Sequence, residues 1–267
     1  MDRPGNKVAA MQEAPSFDLS GRRALVTGAS RGIGRAIAEA LAGAGAAVAI
    51  TGRAPDPLQE TAAAMRRGGA TVEPLVLDVT DVAQCGAVVA EAAHRLGGLD
   101  ILVNNAGTEE VRPALKVDEA LWDKILDTNL KGAFFCAQAA AREMRLAGRP
   151  GVIINLCSLT SEVGIPTAAP YGSSKSGLLG MTRALATEWA PIGIRVNAII
   201  PGYFRTGMTE AFFADAQWEQ AMLAKIPLGR FGALDDLKGI AVFLASSASA
   251  YVTGQAFAVD GGYLAAV

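Results

Sequence analysis

Histidine is almost missing from this chain, and cysteine is scarce: His94 stands alone beside Cys85, Cys136 and Cys157. No Cys/His spacing suits a metal, which argues against a zinc-dependent alcohol site, and one histidine in a helical run (VVAEAAHRLG) argues against a histidine-based triad. Three cysteines give no even pairing, and Cys157 reads as a small buried thiol at a strand end rather than a nucleophile. Charge is sparse too. Charged residues make up 19%, the net charge is −2 and no basic tract occurs, so neither nucleic acid nor an anionic membrane surface is an expected partner. Apolar stretches such as ILVNNAG and GVIINL are far too short to span a bilayer. The first residues, MDRPGNKVAAMQEAPSF, lack an apolar secretory core. They read as a loose tail over residues 1–17 of a cytoplasmic protein.

What the chain does have is apolar residues, 51% of the total, with a mean hydropathy of +0.29. That excess fits either surface buried between subunits or an alanine-rich composition. Strands and amphipathic helices alternate along the chain. RRALVTG, AAVAIT, TVEPLVLDV, DILVNNAG, GVIINLCS, IRVNAIIPG and QAFAVDGG read as strands. Between them lie helical runs, among them GRAIAEALAGAG, LWDKILDTNLKGAFFCAQAAAREMR and SSKSGLLGMTRALATEWAP. This order and spacing predict right-handed crossovers in a parallel sheet, with helices on both faces. No linker or repeat divides the chain. The expectation is one α/β, doubly wound domain of about seven strands over residues 18–267, with a substrate-loop insertion at 203–226.

After the first strand comes T-G-x-x-x-G-x-G, with Gly28, Ser30, Arg31, Gly32, Ile33 and Gly34. Glycines there allow a tight turn and close approach of backbone to a pyrophosphate, and the following helix N-terminus offers N–H groups and a positive dipole end. An NAD site places a carboxylate at the end of the second strand to hold the adenosine ribose. Here that place has Gly52 and Arg53, with Arg31 in the first loop, and two guanidiniums suit a 2′-phosphate. The expected cofactor is NADP, with NAD as the alternative if Arg53 only stacks or faces solvent. Asp78 and Val79 end the third strand, and Asn105, Ala106 and Gly107 end the fourth, at the edge where open sheets bind ligands.

Ser158 follows the fifth strand and lies over the same edge; Tyr171 and Lys175 are four apart at the start of the next helix, on one face. A phenol titrates near about 10 and is a poor base at neutrality. The expectation is that the Lys175 ammonium and a cationic nicotinamide lower it, while Ser158 orients the substrate oxygen. Asn129 is a candidate to hold backbone and water for proton relay.

TGASRGIG at 27–34, DV at 78–79, NNAG at 104–107, Asn129, Ser158, Tyr171, Lys175 and PG at 201–202 resemble, in that order, the classical short-chain dehydrogenase/reductase family over residues 18–265. The resemblance implies a Rossmann fold, with Tyr171 as acid/base and Lys175 also on the nicotinamide ribose. It implies that Asn129 supports a lysine–water relay and that Pro201, Gly202, Phe204 and Thr206 contact cofactor. A homotetramer is implied as well, with the helices at 122–148 and 171–190 in its main interface and the C-terminal AFAVDGGYLAAV in its second. The family's usual ISS is NLCS here, so Cys157 replaces a serine.

The substrate-facing candidates are Glu109, Arg112, Ser158, Leu159, Glu162, Pro166, Tyr203, Arg205 and Met208. So many charges suit hydroxyls or a carboxylate, unless they rim the entrance. SEVGIPTAAPY resembles the corresponding loop of gluconate 5-dehydrogenase-like members, and GTEEVRP resembles glucose dehydrogenase-like ones. A sugar, polyol or sugar-acid substrate is therefore expected. The alternative is a 3-oxoacyl-[acyl-carrier-protein] reductase-like enzyme, for which Arg112 and Arg205 are the candidate docking cations. A non-catalytic nucleotide-binding protein is a remote alternative, since Ser158, Tyr171 and Lys175 are all present.

Overall fold

Seven strands lie side by side and all run parallel: β1 (Arg23–Val26), β2 (Ala47–Gly52), β3 (Val72–Val76), β4 (Ile101–Asn104), β5 (Gly151–Leu156), β6 (Ile194–Pro201) and β7 (Ala256–Val259). The structure is a computed structural model that describes residues 15–207 and 209–267, with the backbone alone for Ala211 and Phe212. Strand order is β3-β2-β1-β4-β5-β6-β7, so the winding reverses between β1 and β4 and opens a crevice at their carboxyl ends. The expected fold is therefore present. β4 and β5 are buried along their whole length, which is why they read as unbroken apolar runs: both faces of the sheet are covered.

Helices α1 (Gly32–Gly43) and α2 (Pro55–Arg67) cover one face. Helices α3 (Val82–Leu96), α4 (Glu119–Leu126), α5 (Gly132–Leu146) and α6 (Ala169–Trp189) follow in the chain. The core on the first face is built on Ile37, Leu41 and Leu58, and that on the second on Val89, Cys136, Ala140 and Leu185. Local chemistry sets the helix ends. Asp81 and Asp118 cap α3 and α4 by accepting from the main-chain N–H of Gln84 and Leu121. Gly97 ends α3 at φ +74°, a conformation that favours glycine. α4 and α5 are one helix in effect, joined by a π-helical turn at Asp127–Lys131, as the long run beginning LWDKIL predicts.

The stretch 203–226 contains two short helices, α7 (Glu210–Phe213) and α8 (Ala216–Leu223), capped at Asp215. Its rings pack together: Tyr203 meets Trp218 and Tyr263 edge-on, with centroids 5.5 and 5.4 Å apart. Beyond it, α9 (Lys238–Ala245) packs on the first face, and α10 (Tyr263–Ala266) closes the chain. Of the tail expected at 1–17, residues 1–14 lie outside the described residues. Ser16 is already docked, since Ser247 Oγ accepts from its N–H at 3.0 Å and donates to its carbonyl at 3.1 Å. No helix among the described residues is long and apolar enough to cross a membrane.

Candidate active site

One cavity of about 810 Å³ follows the carboxyl edge of the sheet. The glycine turn after β1 forms part of its wall. Gly28 has φ +63°, and a Cβ there would stand 2.8 Å from Ala106 Cα. A Cβ on Gly34 would run into the Asn105 side chain and come within 2.5 Å of the Gly28 carbonyl oxygen. That side chain is fixed, because Asn105 Nδ2 donates to the carbonyls of Thr27 and Gly28, each at 2.9 Å. Thr27 Oγ1 in turn accepts from the main-chain N–H of Asn105 and Ala106. The β1 and β4 ends are thus tied into one floor. α1 starts at Gly32 with no side-chain cap and no acidic residue in its first turn, so its N–H groups and positive end are open to an anion.

Ser30, Arg31, Gly32, Ile33, Gly52, Arg53, Asp78, Val79 and Gly107 line this cavity, as do Pro201, Gly202, Phe204 and Thr206. β3 ends at Val76, so Asp78 and Val79 sit just past the strand; Asp78 Oδ1 accepts from Thr80 N–H and Thr80 Oγ. Arg31 and Arg53 are exposed and make no ion pair with a described residue.

Two strands along the same edge, Ser158, Tyr171 and Lys175 line the cavity. Tyr171 and Lys175 share the inward face of α6, with Lys175 Nζ 5.7 Å from the phenol ring centre. Lys175 is buried and donates to the Leu156 carbonyl at 2.6 Å. Burial pushes the Tyr171 phenol well above its ordinary pKa; the Glu109 charge adds to this, and the hydrogen bond with Ser158 works against it. The expectation that Lys175 lowers the phenol is not met by the protein groups alone, because burial and the Glu109 charge outweigh the Ser158 hydrogen bond. Burial likewise lowers the Lys175 ammonium, against the opposing influence of the neighbouring Cys157 and Glu109. The thiol of Cys157 is pushed by burial to about 11 and stays neutral.

Asn129 lies behind this wall, fully buried in the π-helical turn. Its Oδ1 accepts from Thr108 N–H at 2.8 Å, and its Nδ2 donates to the Thr108 carbonyl at 2.9 Å and to Ser174 Oγ at 3.0 Å. It clamps the loop that follows β4 to the helix that carries Tyr171.

The substrate candidates divide. Glu109, Ser158, Leu159 and Tyr203 line the cavity; Arg112, Glu162, Pro166 and Arg205 do not. Arg112 is held by Glu110 and Asp118, while its N–H donates to Thr167 O at 3.0 Å. Arg205 is held by Glu219 and lies over the Phe213 ring, 4.3 Å from its centre. Glu162 and Pro166 are exposed outside the cavity. Met208 lies outside the described residues. His94 is exposed in the last turn of α3. The sequence reading missed Ala120, Lys124, Asp127 and Thr128, which line the cavity, and also Trp218. The first four recur at i, i+4, i+7 and i+8, one face of a helix, and that spacing was the available signal.

A family profile described as enoyl-(acyl carrier protein) reductase matches residues 28–264. The gluconate 5-dehydrogenase of Gluconobacter oxydans is 41% identical over 252 residues, covering 94% of this chain and 98% of that protein. A 3-oxoacyl-[acyl-carrier-protein] reductase of Staphylococcus aureus is also 41% identical, over 90% of this chain and 97% of that one. Among solved structures, one from Sinorhizobium meliloti described as a short-chain alcohol dehydrogenase is 64% identical, with a TM-score of 0.92 over 95% of this chain and 100% of that chain. A gluconate 5-dehydrogenase of Burkholderia cenocepacia in complex with NADP and tartrate is 42% identical, with a TM-score of 0.91 over 94% of this chain and 98% of that chain.

Proposed function

The chain is an NAD(P)-dependent oxidoreductase of the short-chain dehydrogenase/reductase family, and from that premise we propose that it moves a hydride between NADP and a secondary alcohol of a sugar, polyol or sugar acid. The observation that carries the proposal is the single cavity. Along one sheet edge it joins an uncapped helix N-terminus and two arginines without an ion-pair partner among the described residues to the Ser158–Tyr171–Lys175 group. The residues fit the cofactor. Gly28 and Gly34 leave room that a Cβ would fill, the start of α1 suits a pyrophosphate, and Arg31 and Arg53 suit a 2′-phosphate where no carboxylate stands.

The bound cofactor supplies the hydride acceptor or donor and, when oxidised, a positive charge. Tyr171 Oη takes the alcohol proton in oxidation and returns it to the carbonyl oxygen in reduction. Ser158 Oγ donates to that oxygen and holds it near the phenol. Lys175 places a cation beside the ring and would hold the nicotinamide ribose of a bound cofactor. Asn129 acts on the reaction through the backbone it clamps. Positioning and fixed dipoles carry most of the rate.

The thioester reading draws on the names of the family profile and of the Staphylococcus aureus relative. Its two candidate docking cations, Arg112 and Arg205, are already paired with carboxylates, which favours the hydroxylated substrate. We also propose assembly as a homotetramer in the cytoplasm. A groove along α4, the π-helical turn, α5 and α6, where Leu126, Leu130, Phe134, Phe135 and Met181 lie beside Asp123, Asp127 and Lys131, supports the assembly.

A turnover panel tests the function: sugars, polyols, sugar acids and 3-oxoacyl thioesters, each with NADP and NAD. The expected result is activity on hydroxylated compounds with NADP preferred, and a loss of about 10- to 100-fold in kcat/KM for NADP in Arg53→Ala, with little change for NAD. Activity on thioesters alone would reverse the substrate assignment, and equal efficiency with NAD would remove the role given to Arg53.

A further inference from the structure

We propose that Glu109 selects uncharged polyhydroxylated substrates: its carboxylate accepts hydrogen bonds from substrate hydroxyls and turns away a substrate that brings its own carboxylate to that place. The proposal rests on the hydroxylated-substrate reading above and narrows it. Glu109 lines the cavity and is half-buried, yet it makes no hydrogen bond or ion pair with a described residue. Its neighbour Glu110 behaves differently, engaging Arg112 and Lys124. A carboxylate drawn partly out of water without a partner is costly, and hydroxyl donors from a bound ligand would satisfy it.

Its position is fixed rather than incidental. Thr108, next in the chain, is held through both its N–H and its carbonyl by Asn129. A Cβ on Gly107 would lie 3.7 Å from Lys175 Nζ, so this loop runs directly past the proton-transfer pair. Glu109 is close enough for its charge to act on Tyr171, Lys175 and Tyr203 alike. It therefore stands beside the proton-transfer pair.

The cations that line the cavity stand apart from Glu109 or already have a partner. Among the described residues lining the cavity, Arg31 and Arg53 stand at the ends of β1 and β2, and Lys124 pairs with Glu110 at 3.2 Å. Lys175 donates to the Leu156 carbonyl. Arg112 and Arg205, the two cations that would have suited a sugar acid, lie outside the cavity in ion pairs of their own. An anionic sugar would thus meet the like charge of Glu109, and the neighbouring cation, Lys175, is already directed to the Leu156 carbonyl; that combination disfavours binding in a partly desolvated site.

The test measures kcat/KM with NADP for pentitols and hexitols, each paired with the aldonate of the same carbon skeleton, in the unmodified protein and in Glu109→Gln and Glu109→Asp. The polyol is expected to exceed its aldonate at least about tenfold; Glu109→Gln should cut that ratio about tenfold or more, and Glu109→Asp, which keeps the charge, should retain most of it. A merely structural role for Glu109 would lower both substrates together and leave the ratio alone. Preference for the aldonate, or an unchanged ratio in Glu109→Gln, overturns the proposal while leaving the dehydrogenase reading intact. Turnover of no hydroxylated compound, with or without turnover of thioesters, overturns that reading and this proposal with it.

Discussion

Tyr171 is held in a state that opposes its own ionisation, and Glu109 is part of the cause. Burial is the larger influence and the Glu109 charge the next, both raising the phenol's pKa. Oxidation of an alcohol needs the phenolate, so its rate climbs as pH rises toward the Tyr171 pKa. Removing the negative charge makes the phenolate less costly and lowers that pKa. The pH profile of kcat/KM for oxidation in Glu109→Gln should therefore have its rising limb at lower pH than in the unmodified protein. A limb that stays put, or moves up, would show that Glu109 does not act on Tyr171. Single residues were partly legible in the sequence. The Tyr171–Lys175 spacing, Ser158 and the glycine turn could be read because a helix and a strand end fix where such side chains point. Arg112 and Arg205 could not. Arg112 pairs with Glu110, two positions back, and with Asp118, six on, and Arg205 pairs with Glu219, fourteen on; a sequence does not tell such a paired surface cation from a free one in a pocket.

The glycine turn is the element with least room to change. Gly34 faces the Asn105 amide and the Gly28 carbonyl at distances no Cβ can occupy, and Asn105 is tied to β1 by two hydrogen bonds. In Gly34→Ala the turn must open. Overpacking of this kind costs about 1–3 kcal/mol. A lower unfolding midpoint is expected together with at least about tenfold weaker binding of NADPH, read by fluorescence titration. Unchanged affinity would mean the turn does not cradle the pyrophosphate. Strands were the most legible elements, because a strand covered on both faces is a continuous apolar run bounded by turn residues. α9 escaped because KGIAVFLA is eight residues long and almost wholly apolar, without the polar stripe that reveals a 3.6-residue period. The π-helical turn at Asn129 was invisible for another reason: one extra residue in a helix leaves no mark in a periodicity, though here it carries the residue that clamps Thr108.

At the scale of the whole molecule, a parallel sheet brings distant parts of the chain to one edge. The turn after β1, the loop after β4, the end of β5 and the first turn of α6 share a cavity although they span residues 28–175. The sequence order predicted that convergence through the crossover rule, whereas the stretch 203–226 was readable only as aromatic and helix-forming. The division of labour within the cavity is the central claim: one part binds cofactor, and the other moves a proton through Tyr171. The most direct measurement pairs NADPH affinity with single-turnover carbonyl reduction in Tyr171→Phe, which removes one oxygen and little else. The predicted result is an affinity within about twofold of the unmodified protein and a rate lower by about a thousandfold. Reduction at near the unmodified rate with affinity preserved would contradict it.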